Sequence, residues 1–359
     1  MNIGKIIIDD PMYSQQKNMQ LLNIESAWKH SVGDNVRVAI IDSGIDGSHS
    51  DFGYTDYINI TANDSTTERK RKYQPVLDLI KSNKHPKIVG GWNFLENNDD
   101  TWDDYRHGTY LGGVIGAVDN GIGIVGIAPN CKISPFKAVD SGGYVTQENV
   151  IKAINMAVEQ GCNVINISLA WSYIQNSSDW ESAINNAHNN KVIIVSATGN
   201  NNRKQTYYPA NIDGIISVGG CNELGKRWVH NPLRGSNYGS KMNCLCPSFS
   251  QPTTFFMRSR WENIDGTSMA TANMTGIVAL LKAIKNISYE ELTELIKKFS
   301  SNSITGFTEE FGWGVPDTFR MVSNIMPEQA DITTIIKKLD DAKSIIDSIK
   351  TDINVLRTP

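Results

Sequence analysis

Six short runs of apolar and β-branched residues constrain the fold most. They are "VRVAIID" (36–42), "KIVGGWNF" (87–94), "KISPFKAV" (132–139), "CNVINISL" (162–169), "KVIIVSAT" (191–198) and "GIISVGG" (214–220). Near-continuous apolar runs of this length suit strands covered on both faces, and hence a parallel sheet. Helical patterns fall between them. "TQENVIKAINMAVEQG" (146–161) carries a Thr cap, an early Glu and a closing Gly, and "DWESAINNAHNN" (179–190) reads as a second helix. Strands alternating with helices predict an α/β fold with a mainly parallel sheet. Ligands in such sheets sit at the carboxyl ends of the strands, where this chain places Asp42 and, one residue beyond a glycine, Asn200.

Composition removes several function classes. The chain has 359 residues, 40% hydrophobic and 20% charged, with a net charge of −4, so no nucleic-acid partner is expected. No apolar run approaches the roughly 20 residues of a membrane span. Five scattered cysteines (Cys131, Cys162, Cys221, Cys244, Cys246) suit a reducing compartment better than a disulfide framework. Cys244 and Cys246 have no second Cys/His pair nearby to complete a structural zinc site. Two segments stand apart. Residues 53–86 are polar, contain "ERKRK" and are expected to form a solvated surface insertion. In the tail, Ile332, Ile335, Leu339, Ala342, Ile346, Ile349, Ile353 and Leu356 alternate spacings of three and four, a coiled-coil seam. A helix with such a stripe does not bury it alone. It is expected either to dock on its own body or to pair with another chain, giving a homo-oligomer or a partner-protein contact through 332–356.

The stretch "GTSMATANMTG" (266–276) runs into the apolar "IVALLKAI". A hydroxyl residue at such a helix start is either an N-cap or a nucleophile beside exposed amides. A nucleophile needs a base, and the base an orienting group. "AIIDSGIDGSHSDF" (39–52) ends a strand on Asp42, and "RHGTYLGGVIGAV" (106–118) places His107 at a helix start. Asp, His and Ser in this chain order match one solution to acyl transfer.

These blocks resemble those of the subtilisin-like serine proteases, whose pattern is D-S/T-G, H-G-T-H and G-T-S-M-A; here the counterparts are "DSG" (42–44), "HGTY" (107–110) and "GTSMA" (266–270). "GIGIVGIAP" (121–129), "VINISLAW" (164–171), "VSATGNN" (195–201), "YYPAN" (207–211) and "FGWGVPD" (311–317) resemble further family blocks, so the likeness covers about residues 10 to 325. The resemblance implies a three-layer α/β/α catalytic domain over 36–325 with an N-terminal segment (1–35) packed on it, and the heptad spacing of the tail adds a C-terminal amphipathic helix over 326–359. It implies a serine endopeptidase with Ser268 as nucleophile, His107 as base, Asp42 as orienter and Asn200 in the oxyanion hole. An extended peptide would lie along Ser168, Leu169, Ala170 and Trp171 and along Ser141, Gly142 and Gly143. It also implies structural Ca²⁺ held by Asp51, Asn120 and the carbonyls of Val118, Ile122 and Ile124, with Gln15 or Gln16 adding an oxygen.

The chain departs from the pattern at Arg106, Tyr110, Ala272, Asn273 and the pair Ala170-Trp171, where glycines are usual. Trp171 is expected to wall or partly occlude the pocket. Arg203 and Lys204 suggest tolerance for acidic or polar P1 side chains. These departures point to selective processing. The rival readings are a restricted protease scaffold that binds and regulates, and an acyl-enzyme that hands its acyl group to an amine. Met1 and the lack of a secretory signal pattern point to a cytoplasmic protein without a prosegment; the alternative is a secreted one whose signal and prosegment are absent from this sequence.

Overall fold

A computed structural model describes residues 8–56, 58–61, 63–256, 260–327, 339–347 and 349. The chain divides into two compact units, Met1–Ile325 and Met326–Pro359. The first is built on a seven-stranded sheet. Its strands are β1 (Arg37–Asp42), β2 (Trp92–Asn93), β3 (Lys132–Lys137), β4 (Val164–Ile167), β5 (Ile193–Ala197), β6 (Ile216–Cys221) and β9 (Cys244–Pro247). Their order is β2-β3-β1-β4-β5-β6-β9, and every pair is parallel. The hairpins β7 (Val229–Asn231)–β8 (Arg234–Gly235) and β10 (Gln251–Phe255)–β11 (Arg260–Ile264) stand outside it.

Each expected run supplies a strand, because its side chains reach apolar cover on both faces. Val38 and Ile40 enter one core with Val164, Ile193, Val195 and Val218. Ala39 and Ile41 enter the other with Ile165, Ile167 and Ile194. Helices α4 (His107–Gly116) and α7 (Thr267–Ile284) cover the first face. Helices α5 (Gln147–Glu159) and α6 (Ser177–Asn189) cover the second through Val150, Ala153, Ile154, Trp180, Ala183 and Ile184. The result is the expected three-layer α/β/α arrangement. The edge strand β9 escaped sequence reading, since an apolar run of three residues ended by proline carries little periodic signal.

The short N-terminal helices α1 (Lys17–Leu21) and α2 (Ile24–Ala27) bury Met19, Leu22, Ile24 and Ala27 in the α4/α7 core. The Trp28 indole donates to the Ile127 carbonyl at 2.8 Å and the Ser31 hydroxyl to the Leu280 carbonyl at 2.7 Å. Helices α8 (Tyr289–Phe299), with a Ser288/Glu291 capping box, and α9 (Thr318–Ile325) complete the unit.

The polar segment 53–86 corrects an expectation. It contains α3 (Thr66–Lys81), capped by Ser65, with Tyr73, Val76, Leu77 and Ile80 buried. Their spacing of three, one and three places them on one helical face, which packs inward. The run of charges occupies the outer face, where Lys70, Arg71 and Lys72 pair with Glu96, Glu68 and Asp64. In the second unit, residues 339–347 and 349 are helical, and Leu339, Ile345, Ile346 and Ile349 are exposed. Ile332, Ile335, Ile353 and Leu356 of the seam lie outside the described residues.

Candidate active site

Three elements converge at the carboxyl end of the sheet. Asp42 is the last residue of β1, His107 the first of α4 and Ser268 the second of α7. Close approach of α4 to the β1 end depends on two glycines. A methyl on Gly108 would fall 2.0 Å from the Gly44 carbonyl oxygen, and one on Gly44 would fall 2.4 Å from the Thr101 carbonyl oxygen. With that approach allowed, His107 Nδ1 lies 2.9 Å from both Asp42 carboxylate oxygens. Asp42 is fully buried, and its Oδ1 also accepts from the Ser43 N–H at 2.8 Å. Burial of the imidazole lowers its proton affinity. The charge and hydrogen bond of Asp42, then the charge of Asp103, outweigh that and hold the His107 pKa above its ordinary value.

The two readings of Ser268 separate here. The N-cap position of α7 is Gly266, so Ser268 sits in the first turn without capping it. Its hydroxyl donates to the Ser168 carbonyl at 3.4 Å, and the Ser168 hydroxyl donates to the Ser268 carbonyl at 3.3 Å. Among the described residues it makes no hydrogen bond to His107. Such bonds are often long before substrate binds. Asp42, His107 and Ser268 all line one open cleft of about 610 Å³. Asn200 lines it too. Its Oδ1 accepts from the Thr267 N–H at 2.8 Å and the Thr267 hydroxyl at 2.9 Å, which fixes the amide and leaves Nδ2 as its donor.

The cleft walls continue from two strand ends. Ser168, Leu169, Ala170 and Trp171 follow β4, and Ala197, Gly199 and Asn200 belong to the end of β5 and its extension. Trp171 and Tyr208 exchange backbone hydrogen bonds of 2.8 Å. The Trp171 ring packs against Trp180 with centroids 6.4 Å apart, so it walls the cleft and leaves it open. Gly143 lines the cleft, but Ser141 and Gly142 do not. Asp140 holds a turn through the Gly142 and Gly143 N–H groups, and Ser141 faces a separate small cavity beside Lys137 and Asp104. Tyr144, Val145, Thr146 and Gln147 take their place, and Tyr105, Tyr173 and Tyr207 also line the cleft without having been singled out from sequence. Arg203 and Lys204 are absent from its lining, and Lys204 pairs with Glu309 at 2.5 Å, which removes the basis for an acidic P1 preference.

The loop after α4 presents several oxygens of the kind a hard cation takes. Asp51 is fully buried; its Oδ2 accepts from the Trp261 indole at 2.6 Å and the Ile124 N–H at 3.1 Å, while Oδ1 has no hydrogen-bond partner. The carbonyls of Val118, Ile122 and Ile124 receive no hydrogen bond among the described residues, whereas those of Gly123 and Val125 are taken by Met12 N–H and the Gln16 amide. Asn120 Oδ1 accepts from Ile122 N–H. Gln16 is committed to both backbone groups of Val125, and Gln15 is exposed. Sequence reasoning missed three carboxylates here. Ligand atoms of Asp9, Asp10 and Asp119 lie within 4.8 Å of one another, and Asp10 Oδ2 and Asp119 Oδ1 are buried without partners. Burial pushes the Asp51 pKa up to about 7, and burial, then Asp119, does the same to Asp10. Orphaned carboxylate oxygens and free carbonyls together fit a hard, oxygen-loving cation.

The sequence profile of the subtilase family matches residues 33–314. The chain belongs to this family. It is 28% identical over 266 residues to the thermostable alkaline protease of Halalkalibacterium halodurans, covering 74% of this chain but only 62% of that one. It is 28% identical to thermitase of Thermoactinomyces vulgaris, over 76% of this chain and 84% of thermitase. Its fold matches that of a protease from Pseudoalteromonas arctica with a TM-score of 0.71 at 23% identity, over 88% of this chain and 99% of that one.

The departures in this subtilase are absorbed by packing. Tyr110 is buried, and its hydroxyl donates to Glu262 at 3.3 Å. Arg106 sits at φ +88°, a left-handed conformation that a glycine adopts without strain. Asn273 bridges four partners: its Oδ1 accepts from Asn18, and its Nδ2 lies within 3.0 Å of the Pro247 carbonyl, Gln251 Oε1 and the Met269 carbonyl. That network ties the start of α7 to α1, β9 and β10.

Proposed function

We propose that this subtilase is a serine endopeptidase that cleaves extended protein or peptide substrates. The observation that carries the reading is the pair of buried Asp42 and half-buried His107 opening on the same cleft as Ser268 and Asn200. Ser268 Oγ attacks the scissile carbonyl as His107 Nε2 takes its proton; His107 then returns that proton to the leaving amine. Water, deprotonated by His107, releases the acyl group and restores the serine. Asp42 holds Nδ1–H and stabilises the imidazolium. Asn200 Nδ2 and the Ser268 N–H donate to the oxyanion, one such donor contributing about 3 kcal/mol. The substrate backbone pairs with the Ser168–Ala170 edge on one side and the segment from Gly143 on the other. An uncharged P1 residue fits a cleft lined by Ala170, Trp171 and Tyr207 without lysine or arginine.

Asp51, Asn120 and the carbonyls of Val118, Ile122 and Ile124 would hold calcium, with the Asp9, Asp10 and Asp119 carboxylates a second group able to take a cation nearby. Bound there, the ion would neutralise buried carboxylates and anchor the loop after α4. The lack of plugging at Trp171 supports turnover over the regulatory-scaffold reading. We place the enzyme in the cytoplasm, on its five free, buried cysteines, and assign self-association to the 332–356 seam; truncation after Asn324 should then halve or further reduce the mass seen by light scattering. Intact mass after fluorophosphonate treatment tests the main reading. One adduct is expected on the wild type and none on Ser268→Ala; a folded, calcium-loaded wild type that stays unmodified would overturn it.

A further inference from the structure

The mechanism above does not use the second buried carboxylate of this corner, that of Asp103. Asp103 is fully buried. Its Oδ1 accepts from the Ser43 hydroxyl at 2.8 Å and from the N–H groups of Tyr105 at 3.0 Å and Arg106 at 2.7 Å. Its Oδ2 accepts from the Thr109 N–H at 2.9 Å and the Thr109 hydroxyl at 2.6 Å. The Ser43 hydroxyl in turn accepts from the Gly108 N–H at 2.9 Å. One carboxylate therefore grips the residue that follows Asp42 and, directly or through Ser43, the residues on both sides of His107. Five donors converge on it and it faces no acceptor, so the group is held as the anion.

We propose that Asp103 is a positioning residue for the reaction: it fixes the first turn of α4 against the end of β1 and adds a second negative charge behind the His107–Asp42 pair. The inference rests on the peptidase reading above. Other charged groups pack around the same corner. Lys137 of β3 donates to the Ser43 carbonyl at 2.7 Å and to Asp104 at 2.5 Å; Arg106 adjoins His107; Tyr110 bonds Glu262 of β11. Lys137, held by Ser43 and Asp104, offsets part of the Asp103 charge, yet that charge still raises the proton affinity of His107. Burial raises the Asp103 pKa, opposed by its Thr109 bond, Lys137 and its backbone bonds. A plain helix cap at this position would change stability alone. A positioning charge also sets the proton affinity of His107, since removing a nearby anion disfavours the imidazolium.

The test follows the His107 imidazole by NMR against pH in the full chain carrying Ser268→Ala, with and without Asp103→Asn. The His107 pKa should fall by about one unit in Asp103→Asn. In the chain that retains Ser268, kcat/KM should fall about 10–100-fold with KM nearly unchanged, and its acid limb should move to lower pH. Ser43→Ala, which cuts the link to β1 and keeps the bonds to Thr109, should shift both readouts the same way by less, and decides the matter if Asp103→Asn does not fold. Unchanged His107 titration and an unchanged acid limb in the folded variants, with only a lower melting midpoint, would overturn the inference. A wild type that neither labels nor cleaves defeats the peptidase reading instead, while the NMR titration still judges Asp103.

Discussion

Asp42 and Asp51 lie nine residues apart on one connection, both fully buried, yet they are stabilised in opposite ways. Around Asp42 the protein supplies its own donors: His107 and Ser43 reach Asp42, and five groups reach Asp103. Asp51 Oδ1, and the nearby Asp10 Oδ2 and Asp119 Oδ1, are left without hydrogen-bond partners, and the carbonyls of Val118, Ile122 and Ile124 receive no hydrogen bond among the described residues. The first cluster is complete as folded. The second leaves carboxylate oxygens without donors, which is the basis of the calcium proposal. A carboxylate in a low-dielectric interior needs one or the other, because desolvation otherwise forces protonation.

Four measurements bear on that contrast. The largest effect is expected from Asp42→Asn, which should lower kcat by about 10⁴ while the rise in melting midpoint with calcium persists; loss of that rise as well would mean the two clusters are not independent. Asn200→Ala should cost about 10²–10³ in kcat, again leaving the calcium response intact. Chelation should lower the wild-type midpoint by about 5 °C, the shift expected when about 3 kcal/mol of ligand binding is lost, and Asp51→Asn should abolish the difference. Identical melting curves with calcium and with chelator would remove the calcium proposal from the account. The smallest effect is Arg106→Gly, which relieves the left-handed backbone before His107 and should stabilise by about 0.5 kcal/mol, strain relief partly offset by unfolded-state entropy.

The pH dependence sharpens the same contrast. The His107 pKa lies above its ordinary value, so its stabilising contribution is fully present below about pH 6.5 and is lost as pH rises through the folded value. Catalysis has the opposite sense, because the base must be neutral, and kcat/KM should climb through the same pKa.

Much of this was legible from spacing. The six runs predicted the sheet because each strand is local and its apolar residues face two cores. Asp42, His107 and Ser268 sit in short blocks whose glycines mark tight approach. What escaped were contacts without local signature. Ser43 and Asp103 are 60 residues apart, Asp10 and Ile122 are 112 apart, and nothing in either segment alone points to the other. The α3 segment was misjudged because its charged outer face outweighed four buried residues on its inner one. Ser141 and Gly142 were placed one turn too early, since the Asp140 turn that diverts them is set by side-chain bonds.

The amino-acid sequence by itself determined the α/β order and the strand ends, because periodicity is a local property of the chain, and the resemblance of three short blocks to subtilisin-like ones pointed to Asp42, His107 and Ser268. Only the tertiary structure decided which buried carboxylate oxygens meet hydrogen-bond donors and which do not. That depends on how loops distant in sequence close over one another, and on whether each desolvated oxygen finds a proton donor there.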